Sequence, residues 1–322
     1  MPENVPVAER VPVFPAGCLP VTAPEARALL ASVRVIYTDL DGTLLAPGGR
    51  LLADHAGTPS TATADALVAL KSAEVTVVPV TGRGADQGTE FLRLMNLDCY
   101  IGEVGGYILR REAGARIDER YLIGAWERVQ LAPGLASGEL PAGVNPWEFI
   151  GQSGVIERLQ AAFPQMFFPY HVARSVSWSF WGNIDVERAA RAVLAREELP
   201  LQLFDNGILY NPPGELPDGA PVHIYHLLPA GVSKRLAIAT DRESRELSLG
   251  AALAIGDSAV DLEMSEECGV FVMMANGLRN PEVQEAVAAR LASGQTVLHT
   301  TLATTDGWVE MARALLAAQG RP

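Results

Sequence analysis

Only three cysteines, Cys18, Cys99 and Cys268, are spread along the 322 residues. An odd, widely spaced set suggests neither a disulfide framework nor a zinc cluster. No stretch supplies about 18 uninterrupted apolar residues, and Glu3, Glu9 and Arg10 stand among prolines at the start with no apolar segment there. Neither membrane insertion nor export is expected. Basic charge is scarce as well: 25 Lys and Arg against 38 Asp and Glu give a net charge of -13, which repels nucleic acid and anionic membrane surfaces. A reducing cytoplasm fits these absences. What the chain has instead is apolar residues, 48% of the total, enough to bury a sizeable core in two domains.

Asp39-Leu40-Asp41-Gly42-Thr43 follows directly on the apolar run Val33-Arg34-Val35-Ile36-Tyr37. That run reads as a buried strand, which sets both acids at its carboxyl end. Side chains i and i+2 of an extended segment point the same way, so Asp39 and Asp41 aim at one small volume. Two like charges there are costly unless a cation joins them. Gly42 supplies a sharp exit that lets the backbone approach a ligand. The same string also occurs in surface turns, where Asp caps the backbone. A calcium loop of the EF-hand kind is excluded, because its glycine would fall at another position and its twelfth residue is Arg50 in place of a bidentate Glu.

Strand-like and helix-like runs alternate from Val33 onward. A strand at Val33 to Thr38, a helix around Thr63 to Ser72, a strand at Val75 to Val80 and a helix around Asp86 to Met95 lead to short strands near Cys99 to Ile101 and Tyr107 to Arg110. The carboxyl third resumes with Ala251 to Ile255, a helix from about Ala259, Val270 to Met273, a helix from Pro281 to about Leu291, Thr296 to His299 and a last helix after Asp306. This rhythm predicts parallel βαβ units in a doubly wound α/β core. Residues 113–230 are richer in Gly, Pro and aromatics, and the alternation in Ser175-Val176-Ser177-Trp178-Ser179-Phe180-Trp181 predicts antiparallel sheet. A helix at about Val186 to Glu198 and a hairpin turn at Asp205-Asn206-Gly207 accompany it. The expected organisation is a Pro-rich arm over 1–30, a core over 31–112 and 231–322, and an inserted α+β cap over 113–230.

Three further signals fall where such a sheet would bring them to the edge that holds Asp39. Thr81-Gly82-Arg83 follows the strand ending at Val80 and offers a hydroxyl and free amides to phosphate oxygens, or a simple helix cap. Lys234 opens a helix after Gly231-Val232-Ser233, where an ammonium suits a phosphoryl group in flight, or is a solvated surface group. Gly256-Asp257-Ser258-Ala259-Val260-Asp261 again leads from strand to helix. Asp257 is placed to be a hard oxygen ligand for Mg²⁺, with Asp261 supporting it one turn on; capping explains one of these acids better than two.

In this order the four segments resemble the haloacid dehalogenase superfamily of phosphatases and phosphotransferases. About 40 residues separate the first two motifs and about 150 the second and third, which is similar to the Cof-type, sucrose-phosphatase-like branch with its cap after the second motif. Ile101-Gly102-Glu103-Val104-Gly105-Gly106 is similar to that branch's Glu-Asn-Gly segment, with Val104 where Asn is usual. Val260 likewise replaces the usual Asn of the Gly-Asp-x-x-Asn-Asp string.

The resemblance implies that Asp39 is the nucleophile, that Asp41 is the acid and base, and that Asp39, Asp41 (through its carbonyl), Asp257 and Asp261 form the surroundings of Mg²⁺. It implies Thr81 and Lys234 on the transferring oxygens, with Gly42, Thr43, Gly82 and Arg83 at the phosphate. In the cap, His171 and Arg174 are expected to meet the hydroxyls or a second anionic group of a sugar phosphate. A phosphatase acting on a small phosphorylated metabolite is the expected function. The alternatives are a phosphomutase of the same architecture and a phosphosugar-binding protein that no longer turns over. Other signals are weaker: Gly82 to Gly88 lacks the third Gly of a dinucleotide fingerprint, Gly151 to Val155 lacks the second Gly of a nucleophile elbow, and His223 and His226 face opposite ways on a strand.

Overall fold

Side chains alternate along a strand, and in strand Val35–Thr38 this fixes the layers of the larger unit. The Tyr37 hydroxyl donates to Asp241 Oδ2 (2.9 Å) in helix Lys234–Ser244, whereas Thr38 Oγ1, the next residue's, accepts from Trp308 Nε1 (3.1 Å) in helix Thr304–Ala318. Helices therefore cover both faces, and all four residues of the strand are buried. The computed structural model describes residues 10–112, 116–164, 168–169, 174–208 and 222–321.

Six parallel strands run in the order Leu19–Pro20, Val297–His299, Val270–Met273, Ala252–Gly256, Val35–Thr38 and Thr76–Pro79. Ile36 pairs with Leu253 on one side and Val77 on the other. Burial on both faces is why these strands read as unbroken apolar runs. The mixed α/β class and its parallel core are as the sequence predicts. The segment expected to be a helix from Ala259 winds as 3₁₀ helix, Val260–Glu267.

The Pro-rich arm carries regular structure, the short strand Leu19–Pro20. Leu19 and Pro20 pair in parallel with Leu298 and His299, Val21 N donates to His299 O (2.9 Å), and Phe14 stacks on the His299 ring 4.0 Å away. Without it, Val297–His299 would be an edge strand with open backbone groups. Pro20 is tolerated because it lies on the outermost strand.

The chain divides into two units, Met1–Thr81 with Asn96–Cys99 and Ile238–Pro322, and Gly82–Met95 with Tyr100–Ala237. The second starts earlier and ends later than the cap expected over 113–230. Helix Ala85–Leu94 joins it because Gly88 admits the Tyr100 ring, which a Cβ would meet at 2.6 Å, and because the Arg111 guanidinium donates to Leu92 O. Its four-stranded sheet, in the order Phe168–Pro169, Trp178–Gly182, His223–Pro229 and Leu201–Ile208, is antiparallel as expected. Trp126, Ile150, Leu159, Phe180, Tyr225 and Leu227 form part of its core.

Asp205-Asn206-Gly207 is not a hairpin turn. His223 pairs with Ile208 and Tyr225 with Asp205, so Asn206 and Gly207 together oppose Ile224 in a β-bulge. Asp205 Oδ1 accepts from Gly207 N (2.8 Å), and Gly207 takes φ +93°. The same local chemistry that makes a turn here only kinks a strand whose partner continues past it. Among the described residues no helix is long and apolar enough to cross a membrane.

Candidate active site

Asp39 and Asp257 end neighbouring strands, and Asp39 N extends their pairing by donating to Ile255 O (2.9 Å). From Val35–Thr38 the chain adds Thr76–Pro79 on one side and later Ala252–Gly256 on the other. That reversal opens the crevice where parallel sheets bind ligands. Oxygens of Asp39, Asp257 and Asp261 lie there within 4.8 Å of one another, with Asp39 8% and Asp261 1% exposed. Three carboxylates this close can hold a metal ion between them. A donor set made only of oxygen fits Mg²⁺ and does not fit zinc or copper.

Each acid is held differently. Asp261 Oδ2 accepts from Asp257 N (3.2 Å), Ser258 N (3.1 Å) and Ser258 Oγ (2.7 Å), so this carboxylate anchors the loop that carries Asp257. Gly256 permits it, since a Cβ there would lie 2.4 Å from Asp261 Cβ. Gly42, at φ +86°, brings its backbone against the Asp257 carboxylate, and a Cβ would stand 2.3 Å from Asp257 Oδ2. Asp41 is exposed and outside the three-carboxylate group. Thr43 is fully buried, and its hydroxyl has no hydrogen-bond partner among the described residues. Thr81, 3% exposed, stands two residues beyond strand Thr76–Pro79.

Asn276 was not expected. Its Nδ2 donates to Asp257 Oδ2 (2.9 Å) and Gly42 O (3.0 Å), while its Oδ1 accepts from Thr304 N (2.9 Å). One amide thus ties three loops of the site together. The available signal was its place just past Val270–Met273, the strand beside Ala252–Gly256.

The remaining expected residues belong to the second unit. Arg174 Nη1 donates to Gly82 O (2.9 Å), and the Arg83 guanidinium lies 5.6 Å from the centre of the Phe91 ring. His171 lies outside the described residues. Lys234, one of only two lysines in the chain, is 3% exposed. Gly105 packs on the backbone just before it, where a Cβ would meet Ser233 O at 2.1 Å and Lys234 N at 2.9 Å.

Glu103, Val104 and Gly105 all take positive φ, at 48°, 61° and 92°. A β-branched residue is strained there and Asn is not, which accounts for the Asn usual at position 104. Val104 persists because it is wholly buried and because the Glu103 carboxylate is pinned by Ser175 N, Val176 N, Ser177 N and Ser177 Oγ.

A family model described as haloacid dehalogenase-like hydrolase matches residues 36–124 and 220–293, together half of the chain. A search of the curated proteins gives no match. Among solved structures, a Streptococcus mutans protein superposes with TM-score 0.59 at 15% identity, covering 88% of this chain and 99% of that one. A Thermoplasma acidophilum protein gives 0.56 at 15%, covering 88% and 98%. The sucrose-phosphatase of Synechocystis, solved with sucrose and phosphate, gives 0.51 at 15%, covering 87% and 97%. At these identities the likeness is one of fold.

Proposed function

Since the chain belongs to the haloacid dehalogenase-like hydrolase family, we propose that it is a Mg²⁺-dependent phosphatase acting on a small phosphorylated metabolite, a sugar phosphate in particular. The observation behind this is the meeting of Asp39, Asp257 and Asp261 oxygens within 4.8 Å at the carboxyl edge of the parallel sheet. An Asp39 carboxylate oxygen bonds to phosphorus as the bond from phosphorus to the leaving oxygen breaks, and Asp41 gives that oxygen its proton. Water then attacks the aspartyl-phosphate, Asp41 takes the water's proton, and the bond to Asp39 breaks to release phosphate. Mg²⁺ held by Asp39, Asp257 and the Asp41 carbonyl would offset the charge gathered there. Asp261 keeps Asp257 in place, and Thr81 and Lys234 keep the phosphate-holding roles that their motifs imply. A sugar substrate is supported by the likeness in fold to a sucrose-phosphatase.

The test is release of inorganic phosphate from a panel of hexose, pentose and glycerol phosphates with Mg²⁺, beside Asp39→Asn. Release that Asp39→Asn lowers on the order of 10⁴-fold or more is expected, as for loss of other nucleophiles. An isomerised sugar phosphate with little free phosphate would identify a mutase instead, and binding without turnover a lapsed enzyme.

A further inference from the structure

Lys234 is delivered by a short turn that lies wholly within the second unit. Strand His223–Pro229 ends on Pro229, Val232 N donates back to Pro229 O (3.3 Å), and Gly231 takes φ +83°, so residues 229–232 form a tight β-turn. Ser233 then caps the helix that Lys234 opens, its Oγ accepting from Leu236 N (3.1 Å). Turn and cap fix the local shape of the segment. They do not fix where it stands on the sheet beside it.

Gln202 does. It pairs with Leu228 from the neighbouring strand Leu201–Ile208, and its amide reaches the turn at both ends: Nε2 donates to Val232 O (2.5 Å), and Oε1 accepts from Gly231 N (3.1 Å). A carbonyl on one side and an N–H on the other fix which end of the amide is which. Two backbone contacts hold the same segment. Ala125 N donates to Ala230 O (2.7 Å), and Gly105 lies against Ser233 O in the turn that the Glu103 carboxylate ties to Ser175, Val176 and Ser177. The Ser177 hydroxyl also meets His226 Nδ1 (3.0 Å). His226 is 1% exposed, and burial first, then the charges of Arg174 and Lys234, hold its pKa well below the usual histidine value, so this ring adds no second positive charge to that of the ammonium.

A lysine ammonium is a point charge on a flexible four-carbon stem, aimed only as well as its backbone is placed. We infer that Gln202 is a positioning residue for Lys234: its amide seats the turn 230–233 on the sheet, and with it the backbone from which the ammonium extends. This rests on the phosphate-holding role proposed for Lys234. A misplacement of about 1 Å in such a group can cost on the order of 10²-fold in rate.

Lys71 and Lys234 are the only lysines of the chain, and the Lys71 side chain is 49% exposed, so acetylation by acetic anhydride can be followed at both by peptide mass spectrometry with Lys71 as the internal reference. Gln202→Leu removes both hydrogen bonds, and Gln202→Glu keeps the shape but sets a carboxylate oxygen against Val232 O. Each is expected to raise the rate at Lys234 relative to Lys71 about tenfold, the order that fits loss of two hydrogen bonds and local opening of the turn. Ile156→Val, which loosens the core of the same unit away from the turn, should leave the ratio unchanged. An unchanged ratio in either folded Gln202 variant, or an equal rise in Ile156→Val, overturns the inference. Phosphate release reads the catalytic half: Gln202→Leu should lower kcat about tenfold in the parent chain, with a smaller change in KM, and less than about twofold in Lys234→Ala, which has no ammonium left to misplace. The same loss in both backgrounds overturns the inference and leaves the phosphatase proposal standing. If no compound of the panel releases phosphate, the proposed function fails, and the acetylation ratio alone decides whether Gln202 seats the lysine: a tenfold rise supports it, and an unchanged ratio overturns it.

Discussion

Asn276 uses both ends of its amide on the site, one on Asp257 and Gly42 and the other on Thr304. Partners of metal-ligating carboxylates typically contribute 10- to 100-fold in metal affinity. Asn276→Ala should therefore weaken Mg²⁺ binding by about that factor in calorimetric titration, with Asp39, Asp257 and Asp261 all still present. His226 carries a second prediction at this scale. Unfolded it titrates near pH 6.5, whereas folded its pKa is depressed, so below that pH the unfolded chain binds a proton that the folded chain refuses. Its contribution to stability is complete above about pH 6.5 and lost as pH falls. Urea unfolding at pH 7.5 and 5.5 should show His226→Leu losing about 1 kcal/mol less than the parent chain between the two. Asp39, Asp257 and Asp261 were legible because acids that follow apolar strands of a parallel sheet fall at its one carboxyl edge, where capping alone does not call for several of them. Asn276 and His226 were not: an asparagine before a helix reads as a cap, and a histidine in a strand reads as core until its partners are known.

At the scale of elements, Asp241 pins helix Lys234–Ser244 to the sheet. It is fully buried and accepts from Tyr37 Oη (2.9 Å), Arg245 Nε (2.6 Å) and Cys99 Sγ (3.3 Å). Asp241→Leu would leave a half-buried guanidinium without this carboxylate, and a cost of about 3–5 kcal/mol is expected in denaturant unfolding. The arm supplies a separate prediction. Removing residues 1–22 should expose the edge at Val297–His299, lowering Tm by about 5 °C and raising light scattering. The core strands were legible because burial on both faces leaves an apolar signature that no partner alters. The arm and the bulge were not, since whether Leu19–Pro20 pairs, or Asp205-Asn206-Gly207 turns, is decided by strands about 280 and 20 residues away.

For the whole molecule, a ligand bound only by the folded chain stabilises it, by about 2.7 kcal/mol at 100 times its Kd. Saturating Mg²⁺ should accordingly raise Tm by about 5 °C, and Asp257→Asn should abolish the rise. The division into units has a further consequence, for the order in which the protein can fold as it is made. Gly82–Met95 and Tyr100–Ala237 lie between the two halves of the larger sheet, so strand Val35–Thr38 leaves the ribosome well before its neighbour Ala252–Gly256 exists. At roughly 5–20 residues per second, that interval is on the order of ten seconds or more. During it the nascent chain carries an apolar segment with no partner on one side, and the inserted unit has its whole sequence in hand to fold first.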